Sequence, residues 1–286
     1  MKNKPTCDLA ADIADNDRKI EGVKSSAEKL SYGVSLEKID VGKYASENCG
    51  LYKGRYVTLI RSSSAATSRE EKNYFIECLS GELKGFLHTD KQGKRKKFLV
   101  VGLGNGYMTV DALGKKTVER ILTTRGNAGL DFLNEVSAFS VGVSAITGIE
   151  SYEVVKGLIE EISPDMLVCI DALSAFKTER IGRAYQITDA GIRAGAGGGV
   201  PSKVRFDREN LGVPVVSVGV PFVISAKKLI EDLCEKDRDF PPLSGNEDMY
   251  VTPRVVDAIL SEASSVIAKA LNFALNPQLS KEDLSY

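Results

Sequence analysis

Phe98-Leu99-Val100-Val101-Gly102-Leu103-Gly104-Asn105, followed by Thr109-Val110-Asp111-Ala112-Leu113-Gly114, decides the fold. A β-branched apolar run ends in glycines and then delivers a carboxylate. Val118, Ile121 and Leu122 come next at helical spacing, so the unit reads strand, turn, helix. Met166-Leu167-Val168-Cys169-Ile170 repeats the pattern and ends in Asp171-Ala172-Leu173. Two strand ends, each carrying Asp-Ala-Leu, are the strongest functional signal in the chain.

Outward from this centre, Arg55-Tyr56-Val57-Thr58-Leu59-Ile60 predicts a strand and residues 70–79 a helix. Residues 85–97 are basic and glycine-punctuated, which suits a solvated loop. A further strand and loop are expected within 136–149. Residues 151–162 read as a helix stopped by Ser163-Pro164. Residues 185–188 predict a short strand, and 213–220 a buried strand that starts after Pro214 and ends at Pro221. Residues 229–233 suit a helix. From Thr252-Pro253, read as N-cap and N1, the positions Val256, Ile259, Ala263, Val266, Ala270 and Phe273 make an amphipathic helix. Before residue 50 the chain is polar, with a helix expected near 25–30. Alternating strands and helices predict an α/β fold, a mostly parallel sheet with helices on both faces. The organisation expected is an N-terminal segment over 1–50 and one α/β domain over 51–286.

Composition narrows the function. The chain has 286 residues and a net charge of −1, with acidic and basic residues interspersed, so no nucleic-acid footprint is expected. No apolar run reaches the roughly 18 residues of a membrane span, and Met1-Lys2-Asn3-Lys4 opens no signal peptide, so a cytoplasmic location is expected. The cysteines, Cys7, Cys49, Cys78, Cys169 and Cys234, are scattered and form no Cys-x-x-Cys pair, which suits reduced thiols rather than zinc ligands.

In an open α/β sheet, ligands bind beyond the carboxyl ends of the strands, where Asp111 and Asp171 are expected. Two carboxylates held close do not both ionise cheaply, so one keeps a proton and the pair can activate water and protonate a leaving amine. The competing reading makes each aspartate the cap of the following helix. Gly102-Leu103-Gly104 fails as a dinucleotide fingerprint because Tyr107 stands at the third glycine position, leaving a tight turn. The glycines between 195 and 199 precede no Gly-Lys-Ser/Thr, so they suit a loop bordering a peptide groove. His88, the single histidine, lies in the polar 85–97 stretch and reads as a surface residue. Thr188-Asp189-Ala190-Gly191 comes nearest to the Asp-Thr/Ser-Gly of pepsin-like proteases and adds Asp189 as a third acidic candidate, with a turn role as its alternative.

These motifs, in this order, resemble the germination protease family, endopeptidases of spore-forming bacteria that degrade small acid-soluble spore proteins. Residues 100–114 look like that family's G-L-G-N turn and T-P-D-A-L-G segment, and Thr147-Gly148-Ile149-Glu150 matches T-G-I-E. Ile170-Asp171-Ala172-Leu173 matches I-D-A-L, and residues 186–192 resemble Q-I-S-D-S/T-G-I. Residues 211–221 resemble L-G-I-P-V-I…G-V-P. The resemblance implies a fold similar to hydrogenase-maturation endopeptidases and an atypical aspartic-type mechanism with Asp111 and Asp171 catalytic. It also implies a cytoplasmic, spore-core tetramer that uses no metal or other cofactor. Asn105, Glu150, Asp189 and Arg193 become candidates for support or substrate binding. Asp8-Leu9-Ala10 looks like both the family's processing region and its substrate motif, so self-cleavage is expected at Asp8–Leu9. Rival readings are a metal-assisted maturation endopeptidase with Asp111, Glu150 and Asp171 as ligands, and a silent peptide-binding member. The chain departs from the family where Gly191-Ile192-Arg193-Ala194 replaces G-I-H-P, where Val110 replaces a proline, and where Lys115 replaces another.

Overall fold

The computed structural model describes residues 9–14, 21–48, 51–65, 68–89, 94–194, 204–233 and 249–280. Its strands are β1 (Val23–Lys29), β2 (Ser35–Val41), β3 (Gly54–Ile60), β4 (Lys97–Gly102), β5 (Glu135–Ser140), β6 (Met166–Ala175), β7 (Ala184–Thr188), β8 (Val215–Ser225) and β9 (Tyr250–Val251). Its helices are α1 (Ala10–Ala14), α2 (Lys43–Asn48), α3 (Arg69–Leu87), α4 (Leu113–Val118), α5 (Ser144–Thr147), α6 (Ser151–Ile162), α7 (Arg208–Leu211), α8 (Ala226–Leu233) and α9 (Val256–Leu275).

The strands make one sheet in the order β1-β2-β3-β7-β8-β6-β4-β5, with β9 added to β8. Its centre, β5-β4-β6-β8, is parallel as the sequence predicts. Antiparallel pairing through β7, β3, β2 and β1 extends it, so the whole sheet is mixed. Residues 23–41 thus supply two strands of the same sheet. The helix expected near 25–30 is instead β1, whose side chains are nearly all exposed. An edge strand paired on one side buries no apolar row, so Val-Lys-Ser-Ser-Ala-Glu-Lys carries no period-2 signal, and its lysines blunt the edge.

Helices α3, α4 and α9 cover one face of the sheet, packing on Val100, Val168, Ile170, Val216 and Val218. Leu260 and Leu271 of α9 are fully buried there, and each such side chain contributes about 1.5–3 kcal/mol. This helix is long and apolar enough to cross a membrane, but 67% of the qualifying window is buried inside the protein, which makes it the core helix of the domain. It starts at Val256 rather than at Pro253, and Thr252 donates its hydroxyl to the Phe222 carbonyl instead of capping. On the opposite face α6 covers Leu99, Val101, Leu167 and Cys169, while residues 9–12 lie toward β7 and β3.

Two strands outrun their predicted ends. All ten residues of β6 are buried, so Asp171 lies inside the strand rather than at its end. What stops at that level is β4, whose last pairing is Gly102 with Ile170. Similarly β8 runs through Pro221 to Ser225, and the pairing shifts register between Leu173 and Ser174. Such an irregularity accommodates a residue that has no N–H to give to the ladder.

Candidate active site

The chain leaves β4 through a turn that Gly104 makes at φ +91°, a left-handed conformation that favours glycine. Leu103 donates its N–H to the Ile170 carbonyl at 2.8 Å, which pins the turn beside the peptide bond that leads into Asp171. The chain then closes a single 3-10 turn over Thr109–Asp111. There the Asp111 carboxylate reaches back, and its Oδ2 accepts the Asn105 N–H at 2.6 Å. The turn 103–105 therefore touches Asp111 on one side and the Ile170–Asp171 peptide on the other.

Both carboxylates are withdrawn from solvent, Asp111 at 7% and Asp171 at 1% exposure. Burial raises the Asp111 carboxyl above its ordinary range, and the Asn105 N–H opposes that only in part. Asp171 Oδ1 accepts the N–H of Ala172 at 3.0 Å. On the same face of β6, burial drives the Cys169 thiol far up, and the charge of Asp171 adds to the effect. The helix-cap alternative does not describe either aspartate. Asp111 faces back toward β4 while α4 starts at an Ala112 cap, and Asp171 lies mid-strand.

The supporting candidates separate. Asn105 is drawn into the site through its backbone, while its side chain accepts the Tyr107 N–H in a local turn. Glu150 is the exposed N-cap of α6 and forms a capping box with Glu153. Asp189 follows β7, three residues past Gln186, and its Oδ1 accepts the Arg55 N–H at 2.7 Å, which ties the end of β7 to the start of β3. Arg193 is exposed beside the Ile192–Phe206 bridge. His88 is the exposed left-handed cap of α3. Lys115 lies over the Tyr107 ring and contributes nothing to the shift at Asp111. Leu9 is fully buried, whereas Asp8 and the glycine loop 195–203 lie outside the described residues. Among the described residues no three His, Cys, Asp or Glu side chains gather as a ligand set, so Asp111, Glu150 and Asp171 do not form one.

Sequence reading missed three buried residues, namely Gln186, Gly219 and Arg180. Gln186 pairs with Gly219, and Gly219 pairs with Asp171, which puts Gln186, Gly219 and Asp171 in one row across β7, β8 and β6. A glutamine between Tyr185 and Ile187 in a fully buried strand was the available signal. Arg180 had none, because its partners Asp12 and Glu37 are remote in the chain.

Among solved structures, the chain is similar to a NiFe hydrogenase maturation protease, HycI, from Thermococcus kodakarensis KOD1, with 18% identity, 66% of this chain and 98% of that chain covered, and a TM-score of 0.36. Curated relatives include a germination protease of Clostridium perfringens, 30% identical over 94% of this chain and 92% of the relative. Another is that of Bacillus subtilis strain 168, 31% identical over 88% and 86% respectively. A third, from Priestia megaterium, is 35% identical over 76% of this chain and 60% of the relative. The family model described as germination protease matches residues 6–236, and the chain belongs to that family.

Proposed function

We propose that this chain, an endopeptidase of spore germination by its family, cleaves small acid-soluble spore proteins with Asp111 and Asp171 as a coupled pair. The observation that carries the reading is the shared turn, with Leu103 bonded to the peptide ahead of Asp171 and Asn105 bonded to Asp111. Burial favours the protonated form of Asp111. In the proposed mechanism the ionised partner, Asp171, takes a proton from a water that attacks the scissile carbonyl. Asp111 protonates the leaving nitrogen as the carbon–nitrogen bond breaks, and the proton on Asp171 passes to Asp111 as the products leave, which restores the starting state of the pair.

The same reading has the chain trim itself at Asp8–Leu9, assemble as a tetramer and work in the spore core. Supporting the first point, Leu9 and Ala10 are buried on the face of the sheet that carries Asp171. The metal-assisted rival needs Glu150 as a ligand, and Glu150 is held in its capping box. The test is digestion of a small acid-soluble spore protein by the trimmed chain and by Asp111→Asn and Asp171→Asn, with and without chelator. Cleavage lost in both variants and indifferent to chelator is expected. Cleavage that survives in either variant would overturn the pair. Peptide binding without turnover in the wild type would make the chain a silent member.

A further inference from the structure

We propose that a basic cavity at the end of the sheet opposite the aspartate pair binds a polyphosphate chain, free or carried by a nucleoside. The cavity lies where β4, β6 and β8 begin, against Phe98, Met166 and Pro214, and has a volume of about 1330 Å³. Small-molecule sites run from roughly 300 to 1,000 Å³, so a ligand of nucleotide size fits with room for water. Met166 opens β6 five residues before Asp171, which puts the cavity roughly 16 Å from that carboxylate along the strand. It is a second site rather than part of the first.

Four consecutive cations, Lys94, Arg95, Lys96 and Lys97, line the cavity, and the fold uses only part of that charge. The bland account of such a run is that it neutralises helix ends, since α3 and α6 finish here at the caps His88 and Ser163. Lys96 fills that role, because its Nζ donates to the carbonyls of Leu87 at 3.3 Å and His88 at 2.7 Å. Neutral groups serve the end of α9, where the Thr89 hydroxyl donates to the Ala274 carbonyl and the Asn134 amide to that of Leu275. Arg95 reaches the exposed Asp131 at 3.2 Å, a contact that water screens. Lys94 and Lys97 have no such task. Both are exposed, and among the described residues neither ammonium forms an ion pair.

Strand geometry spreads these charges around the opening. Phe98 faces the core under α3 and α9, so Lys97, one residue before it, points to the other face of the sheet, while Lys96 reaches α3. An anion in the cavity therefore meets positive charge from both sides of β4. Ammonium groups are point charges that suit phosphate oxygens in many orientations, whereas a carboxylate ligand gains most from a guanidinium fork, and Arg95 already engages Asp131. A chain of phosphates concentrates several charges within a few bonds, which matches cations drawn from four successive residues. Asp165 opposes the ligand, since it lines the same cavity and its Oδ2 accepts the Lys97 N–H at 2.7 Å. Four cations against one carboxylate leave the opening positive.

The test is titration calorimetry on the full chain at fixed ionic strength, with adenosine triphosphate and inorganic tripolyphosphate as separate probes and no added metal. Its readout is binding, so it stands apart from peptide cleavage. Saturable binding of tripolyphosphate is expected. Equal affinities make the free phosphate chain the ligand, and a tighter nucleotide adds the nucleoside to it. The double variant Lys94→Gln/Lys97→Gln should weaken binding by about tenfold or more. Asp165→Asn, which keeps an oxygen for the Lys97 N–H, should tighten it by about threefold. Such opposite shifts separate a site from a loss of structure. Lys24→Gln/Lys43→Gln makes the same change in net charge on β1 and α2, at the other edge of the sheet, and should keep the affinity within about twofold of wild type. Neither saturation nor a rise in melting temperature with either probe overturns the proposal. Binding unchanged in Lys94→Gln/Lys97→Gln lies elsewhere and overturns it too. An equal loss in Lys24→Gln/Lys43→Gln does the same, because net charge alone then attracts the phosphates.

Discussion

Gly104 is pressed against Asp111, since a Cβ built on Gly104 would lie 2.4 Å from the Asp111 carbonyl oxygen and 2.7 Å from its Oδ1. The residue that turns the chain away from β4 thus also shapes the pocket of the carboxylate. Gly104→Ala would meet both a left-handed backbone and a collision that side-chain rotation does not relieve. The expected outcome is a destabilisation of about 1–3 kcal/mol in urea unfolding, with kcat per folded molecule reduced by about tenfold or more. Unchanged kcat in the folded variant would separate the turn from the chemistry.

The withdrawn carboxyl of Asp111 makes stability depend on pH in a direction opposite to a salt-bridged aspartate. Its folded pKa is raised above the ordinary 3.8, mainly by burial. Between that value and the raised one, the folded chain binds more protons than the unfolded chain, so this group lowers stability as pH rises. Asp111→Asn removes the cost, and the new amide oxygen can still accept from Asn105. The variant should melt at a higher temperature than wild type near pH 7 and at the same temperature below the ordinary carboxylate range. It should lose about 10²–10⁴-fold in activity. A lower melting temperature at pH 7 would show that the charged carboxylate stabilises the site.

What was legible in the sequence was local, and what was missed was tertiary. Residues 97–102, 151–162 and 184–188 carry their own periodicity and appear where it predicts. The Asp-Ala-Leu repeats led to two buried aspartates that meet one turn. The extent of β6 was hidden, because Asp171 and Ser174 are buried polar residues in a strand and read locally as its end. Edge strand β1 was hidden for the opposite reason, since its pairing with β2 buries almost no side chain. The groove under Leu9 and Asp12 depends on contacts between residues more than 160 apart, such as Phe176 with Asp12, and no spacing rule finds those.

Cys169 tests whether the pair acts without a thiol. It stands two residues before Asp171 on the same face, fully buried, with its thiol driven far above the range in which a thiolate forms. A nucleophilic cysteine needs the opposite environment. Cys169→Ala should keep kcat/KM within about threefold of wild type while losing about 1–2 kcal/mol of stability to the small void. A hundredfold loss of activity in a variant of native stability would bring the sulfur into the mechanism.

On the other face of the sheet, Arg61 ties the first half of the chain to α9. Its guanidinium lies 3.9 Å from Glu71 and 3.5 Å from Glu262, and Lys72 reaches Glu262 at 2.6 Å. Beside it, burial pushes the Tyr185 hydroxyl up to about 12 against the pull of the Arg61 charge. Tyr185 projects away from the face that Gln186 shares with Asp171, so this cluster bears on stability rather than on the chemistry. Arg61→Met would strand Glu71 in the core without the cation, and such a loss costs about 3–5 kcal/mol. Adding Glu71→Gln should recover part of it, because the stranded charge is then gone. Unfolding midpoints of the two single variants and the double variant measure the coupling, while kcat per folded molecule should stay at the wild-type value. Strictly additive effects would mean that the guanidinium and Glu71 do not sense each other, and a fallen kcat would mean that the two faces of the sheet are coupled.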